Sequence, residues 1–134
     1  MNFSNYNCSV EVLSSINPSE NPAKIEKAIL NILPDSNITI DKFSIKAQSK
    51  NFHSLEKIHE SIHSAKSQKA LQRQLEQHMD KDSTWFYLNK QAAFVEKVVL
   101  CENAEESPLG PLKITISSSD IDRIIDSLVG TQRN

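Results

Sequence analysis

TWFYLNKQAAFVEKVVLC, residues 84–101, is the most apolar run in the chain and contains neither Gly nor Pro. Aromatic and β-branched residues fill it, and such residues fit a pleated, half-buried surface. Its one interruption is Asn89-Lys90. The pattern predicts two strands, or one long strand broken at Asn89, at the centre of a sheet. The flanking segments then read as helices that need a sheet face to cover. An α+β domain follows.

Downstream of this stretch, Glu102 to Ser107 is an acidic loop, and Pro108-Leu109-Gly110-Pro111 is a rigid turn. A short strand follows with Leu112, Ile114 and Ile116 facing in and Lys113 and Thr115 facing out. Ser119 and Asp122 have the spacing of a capping box. Ile121, Ile124, Ile125, Leu128 and Val129 form a helical stripe that Gly130 ends, leaving 131–134 to fray.

Upstream, Cys8, Val10, Val12 and Ile16 alternate with Ser9, Glu11 and Ser15, the period of a half-buried strand, with Leu13 out of phase. Asn21 is a good N-cap, Pro22 suits the first helical position, and Ile25, Ala28, Ile29, Ile32 and Leu33 follow at helical spacing. Pro34 stops that helix. Ser36 to Ala47 gives a second strand region: Ile38 and Ile40 share a face, and a one-residue slip at Asp41-Lys42 marks a bulge or a turn. A strand–helix–strand crossover would make the first two strands parallel neighbours, and an antiparallel arrangement fits as well. Residues 48–82 are polar. Ser54 can cap a helix carrying Leu55, Ile58, His59 and Ile62, and a second run carries Leu71, Leu75, His78 and Met79. One helix bent near Ser64 and a tight pair both satisfy the pattern.

Composition limits function. The chain has 134 residues, 38% apolar and 24% charged, with a formal net charge of −2. That length suits a single domain that buries roughly two-thirds of its unfolded surface without metal or disulfides. A mildly acidic chain does not grip phosphate over its whole surface, although a local basic patch is compatible with it. With only two glycines, Gly110 and Gly130, no glycine-rich phosphate loop or nucleophile elbow can be written. MNFSNYNCSV lacks the basic and apolar regions of a secretory signal, and no run reaches the length of a membrane helix. Cys8 and Cys101 fall in predicted strands and read as buried reduced thiols, and a cytoplasmic location is the default expectation.

Few constellations carry chemistry. His59-Glu60-Ser61-Ile62-His63 spells H-E-x-x-H, which on a helix sets two imidazoles on one face, able to share Zn²⁺ with the Glu as base. Lys57 is unusual for such a helix, the positions of the longer zinc motif hold Lys66 and Lys69, and no third ligand is assigned. A surface helix with His59 tucked beside Ile58 and Ile62 gives the same string. Lys66, Lys69 and Arg73 form a basic stripe, the mark of a phosphate contact or of an ordinary solvated face. Lys90, Lys97 and Lys113 lie near Trp85, Tyr87 and Phe94, an interleaving suited to single-stranded RNA, although aromatics in an apolar strand also serve as core. Asp120, Asp122 and Asp126 read as caps and dipole partners, and no nucleophile is proposed.

The strings FYLNKQAAFVEKV and ESPLGPLKITI, with INPSENPAKIEKAILNILPD upstream, resemble an uncharacterised archaeal family of predicted RNA-binding proteins related to exosome-subunit-like proteins. That family typically shows K-Q-x-A-[YF]-V-G-K-V and then S-P-L-G-P. The resemblance covers residues 7–47 and 83–118 and implies a ribosomal protein L-five-like fold: one antiparallel-rich mixed sheet of about four to five strands, with helices packed on one face. Glu96 stands where the family has Gly. On this likeness the chain is expected to be a non-enzymatic domain without cofactor that contacts structured RNA. Lys66, Lys69, Arg73, Lys90, Gln91, Lys97 and Lys113 are the candidate contacts, orienting RNA through phosphate or 2′-OH. The alternatives are a protein–protein or homodimeric module and a zinc hydrolase using His59 and His63.

Overall fold

The computed structural model describes residues 7–130, so the frayed tail expected at 131–134 lies outside the described residues. The chain runs β1 (Asn7–Ser15), α1 (Pro22–Ile32), β2 (Asn37–Ile40), β3 (Ser44–Asn51), α2 (Glu56–Ser64), α3 (Gln68–Gln77), β4 (Ser83–Leu88), α4 (Lys90–Phe94), β5 (Leu100–Cys101), β6 (Leu112–Ser117) and α5 (Ile121–Val129). Short 3₁₀ turns sit at Phe52–Leu55 and Ala104–Glu106. The six strands form one sheet in the order β2-β3-β1-β6-β4-β5. Every neighbouring pair is antiparallel, so the sheet has six strands where four to five were expected, and none of its ladders is parallel.

Alternation decides which face is covered. Val10, Val12, Ile45, Ala47, Phe86, Ile114 and Ile116 are fully buried on one face. They pack with Ile29 and Ile32 of α1, Ile58 of α2, Leu71 and Leu75 of α3 and Ile124 and Leu128 of α5 in one continuous core. Each Val, Leu, Ile or Phe among them contributes about 1.5–3 kcal/mol when removed from water. Asn21 caps α1 by accepting from Ala23 N–H, with Pro22 at the first helical position.

The structure corrects the reading of residues 84–101. β4 stops at Leu88, and Asn89 Oδ1 accepts from Ala92 N–H to start α4 rather than to break a strand. Lys90-Gln91-Ala92-Ala93 are good helix formers once that cap is in place. α4 ends at Phe94 with Val95 as its C-cap, and Glu96 just beyond has a left-handed φ of 64°, with Lys97 N–H returning to Ala92 O. A residue that closes a helix in this way is usually Gly, which accounts for the Gly of the family pattern at this position. Glu96 is thus a helix terminator and not a mid-strand carboxylate.

Other expectations are refined. The slip at Asp41-Lys42 is the turn of a β2–β3 hairpin, closed by Asp41 N–H to Ser44 O. β3 inserts between β1 and β2, so the first two strands of the chain are not neighbours. The middle helices are a pair, broken at Lys66 with φ 56°. Ser54 does not cap α2; its hydroxyl donates to Asn51 O. α5 begins at Asp120 without a side-chain cap, in place of the Ser119–Asp122 box, and Gly130 closes it with φ 60°.

Candidate nucleic-acid interface

The uncovered face of the sheet is set by the same alternation. Ladder register aligns Thr39, Lys46, Leu13, Lys113 and Tyr87 in one row across five strands, and Gln48, Glu11, Thr115 and Trp85 in the next. Lys46 and Gln48 are exposed, and Trp85, Tyr87 and Lys113 are half-buried. The Lys113 ammonium lies 4.6 Å from the Trp85 ring centroid, and the Tyr87 ring is 4.9 Å from it. His78, just past α3, stacks on the indole at 3.5 Å with 9° between planes. Its Nδ1 sits 3.0 Å from Trp85 O, so an Nδ1–H donor to that carbonyl holds the ring there. Glu11 is the acid within these rows, and its carboxylate accepts from Gln48 Nε2.

α3 makes this arrangement possible. β5 pairs only with Tyr87 and Leu88, leaving the rest of the β4 edge to be satisfied otherwise. Gln74 Oε1 accepts from Tyr87 N–H, and Thr84 Oγ1 donates to Leu75 O at 2.6 Å. These bonds dock α3 against β4.

Of the residues expected to touch RNA, Lys113 lies on this face. Lys90 does not: it is 4% exposed, and its Nζ donates to Ser15 O, Leu109 O and both oxygens of Glu20. Burial pushes the Glu20 carboxyl up, but hydrogen bonds from Asn17 N–H, the Asn17 side chain and Lys90 outweigh it and hold the group below its ordinary value. Gln91 is exposed beside this cluster, its Oε1 accepting from Ser107 Oγ. Lys97 lines a shallow groove with Glu60 and Glu96 against the end of α2, and Lys57 pairs with Glu96 at 3.6 Å. Lys66 sits in the α2–α3 break and Lys69 on α3, both exposed. Arg73 is paired with Glu102 at 2.9 Å. The seven residues therefore do not form one positive surface. Lys46, Gln48 and His78, which lie on or beside this face, were not among the expected residues, although the outward alternation of S-I-K-A-Q-S-K made the first two readable.

The H-E-x-x-H string has a different setting. α2 brings the rings of His59 and His63 to 4.1 Å. Burial lowers the His59 pKa, and the neighbouring His63 lowers it further. His63 Nδ1 is 3.2 Å from Gln68 Nε2, and its ring fills the space over Gly130, where an added Cβ would stand 2.0 Å from Cε1. His63 thus packs α2 against the end of α5, with the His59 ring beside it. Among the described residues no group of three His, Cys, Asp or Glu is placed to hold a metal ion, so the third ligand that the hydrolase alternative needs is absent there. Cys8 and Cys101 are free and buried, and burial pushes the Cys8 thiol up to about 11. Among the described residues no helix is long and apolar enough to cross a membrane.

A family model described as RNA binding matches residues 9–118. A UPF0201 protein of Methanothermobacter thermautotrophicus is 31% identical over 89% of this chain and 89% of its own length. One from Sulfurisphaera tokodaii is 33% identical over 84% and 81%. The crystal structure of the UPF0201 protein from Methanococcus jannaschii superposes with a TM-score of 0.78 at 27% identity, covering 94% of this chain and 96% of that one. The chain belongs to the family that this RNA-binding model describes, that of the archaeal UPF0201 proteins.

Proposed function

We propose that this protein is a non-enzymatic, single-domain RNA-binding protein of ribosomal protein L-five-like type that works in the cytoplasm. Its primary contact is the open face of the sheet. The observation that carries this reading is the row Lys46–Leu13–Lys113–Tyr87 beside Trp85: two lysines and two aromatic rings on an uncovered antiparallel sheet. Rings on such a face accept unstacked bases, while lysines neutralise the phosphates between them. Single-stranded segments of a structured RNA suit it better than a duplex, whose bases are already stacked. Lys66, Lys69 and Lys97 form a separate helix-side contact, weaker because Glu60 and Glu96 stand beside Lys97. The family description supports the class of partner.

Trp85 is the sole tryptophan, so its emission reports this face directly. Titration with a single-stranded octanucleotide should quench it, and affinity should fall about tenfold between 50 and 200 mM salt for two to three phosphate contacts. A duplex of equal length should bind more weakly. Unchanged emission with no measurable binding at low salt would remove the proposal.

A second reading rests on the β2–β3 hairpin, where Ile40 is 48% and Phe43 72% exposed beside the edge strand. It predicts a homodimer paired through that edge. Sedimentation of the native chain against Phe43→Asp separates the two readings, because only a dimer would dissociate.

A further inference from the structure

A cleft of about 340 Å³ opens between α1, α4 and Leu109 of the Pro108–Pro111 turn. Its volume falls in the range of small-molecule sites, about 300–1,000 Å³. Ile25, Ala28, Phe94 and Leu109 make its walls, and Lys24 and Gln91 add polar groups.

The cleft is held in shape from two sides. Lys90 ties the end of β1, the Glu20 turn and Leu109 together through 2.9–3.2 Å bonds. Asn31 Nδ2 donates to Ala93 O and Phe94 O at 2.9 and 3.1 Å, fixing the far end of α4 to α1. A preformed site avoids the cost of ordering on binding. Lys90 and Glu20 neutralise each other, so neither carries net charge to a ligand. The first turn of α1 is also committed: Pro22 has no N–H, and Ala23 and Lys24 donate to Asn21. Charge recognition therefore falls to Lys24, which lines the cleft, and to Lys27, which lies outside the lining but reaches its Phe94 wall; their ammoniums are 5.9 and 5.1 Å from the Phe94 ring centroid.

We infer that this cleft binds a small planar organic anion, its ring laid against Phe94 and its acidic group held by Lys24 and Lys27. An aromatic ring, apolar walls and two exposed ammoniums over a neutralised floor match that chemistry and disfavour a cation. The site is separate from the open sheet face and stands whether or not RNA binds there.

The test is backbone amide NMR of the full chain titrated with AMP, with 1-naphthoate and with adenosine. AMP and adenosine share a ring and differ in charge, and naphthoate distinguishes a general aromatic anion from a nucleotide. Saturable shifts confined to residues 19–28, 90–94 and 109 are expected for at least one anion, with Kd on the order of 10–100 µM. Adenosine should bind at least about fivefold more weakly than AMP, and Lys24→Gln/Lys27→Gln should erase that difference. Phe94→Leu should weaken the bound anion about tenfold through lost ring stacking. The double lysine variant changes only exposed side chains, so it remains informative should Phe94→Leu fail to fold. No shift with either anion, equal binding of adenosine and AMP, or shifts centred elsewhere would overturn the assignment.

Discussion

Lys90 and Lys113 sit in the same half of the chain, near the same aromatic stretch, yet they occupy opposite physical regimes. Around Lys90 the protein has built a closed cluster in which the Lys90 and Glu20 side chains are 5% and 7% exposed and the ammonium has four acceptors. Around Lys113 it has left an open face, with the ammonium over an indole and no carboxylate paired to it among the ion pairs of the described residues. The first lysine spends its charge inside the fold, and the second keeps it on the open face. A lysine's sequence neighbours do not reveal which kind it is.

The largest effect should come from Lys90→Met, which leaves a buried carboxylate uncompensated and costs about 3–5 kcal/mol in urea denaturation. Adding Glu20→Leu should recover about 2 kcal/mol, since no orphaned charge remains. The cluster also carries a pH signature. Because folding lowers the Glu20 pKa, its contribution is present above the ordinary glutamate value, about 4.3, and is lost as pH falls through the lower folded value. Stability curves of wild type and the double variant should converge in that acidic range. Parallel curves down to low pH would show that the cluster is not the buried pair described.

Tyr87→Ala tests the open face and should weaken single-stranded RNA by about 1–3 kcal/mol, the usual worth of a base–aromatic stack. Unchanged affinity would move the contact off the sheet. Glu96→Gly should stabilise the protein by about 1 kcal/mol in thermal unfolding, because it relieves a left-handed residue at the end of α4. Its exposed ion pair with Lys57 offsets little of that gain. Lys113→Ala should cost at most about 1 kcal/mol of stability through its cation–π contact, while lowering the salt slope of RNA binding by about 0.7. Arg73→Ala should be smallest, at about 0–1 kcal/mol, because its partner Glu102 is itself well exposed.

Much of the fold was legible where local and tertiary preferences agree. The stripe Ile25, Ala28, Ile29, Ile32 with Asn21 and Pro22 before it produced α1 as expected, and Leu112, Ile114 and Ile116 faced the core. Leu13, out of phase in the sequence, is indeed on the open face at 39% exposure. The reading failed just after Asn89, where a break was expected between strands and the chain instead enters a helix. The Asn89 cap and the left-handed Glu96 bracket a five-residue helix there, and neither signal is visible in hydrophobic periodicity. The candidate site was less legible than the fold. Lys113 was placed correctly on the outward face, but Lys90 was taken for a surface cation, because burial of a charge depends on a partner 70 residues away.

Alternation and helical spacing alone determined that this protein is an α+β fold with one covered sheet face, since those periods dictate which side chains can reach a common core. Strand order, the insertion of β3 beside β1, the closure of the Lys90 cluster and the isolation of Lys113 on the open face were decided only in three dimensions. The physical reason is range. Periodicity acts over a few residues, whereas the desolvation that neutralises one lysine and spares another depends on segments brought together by the whole sheet.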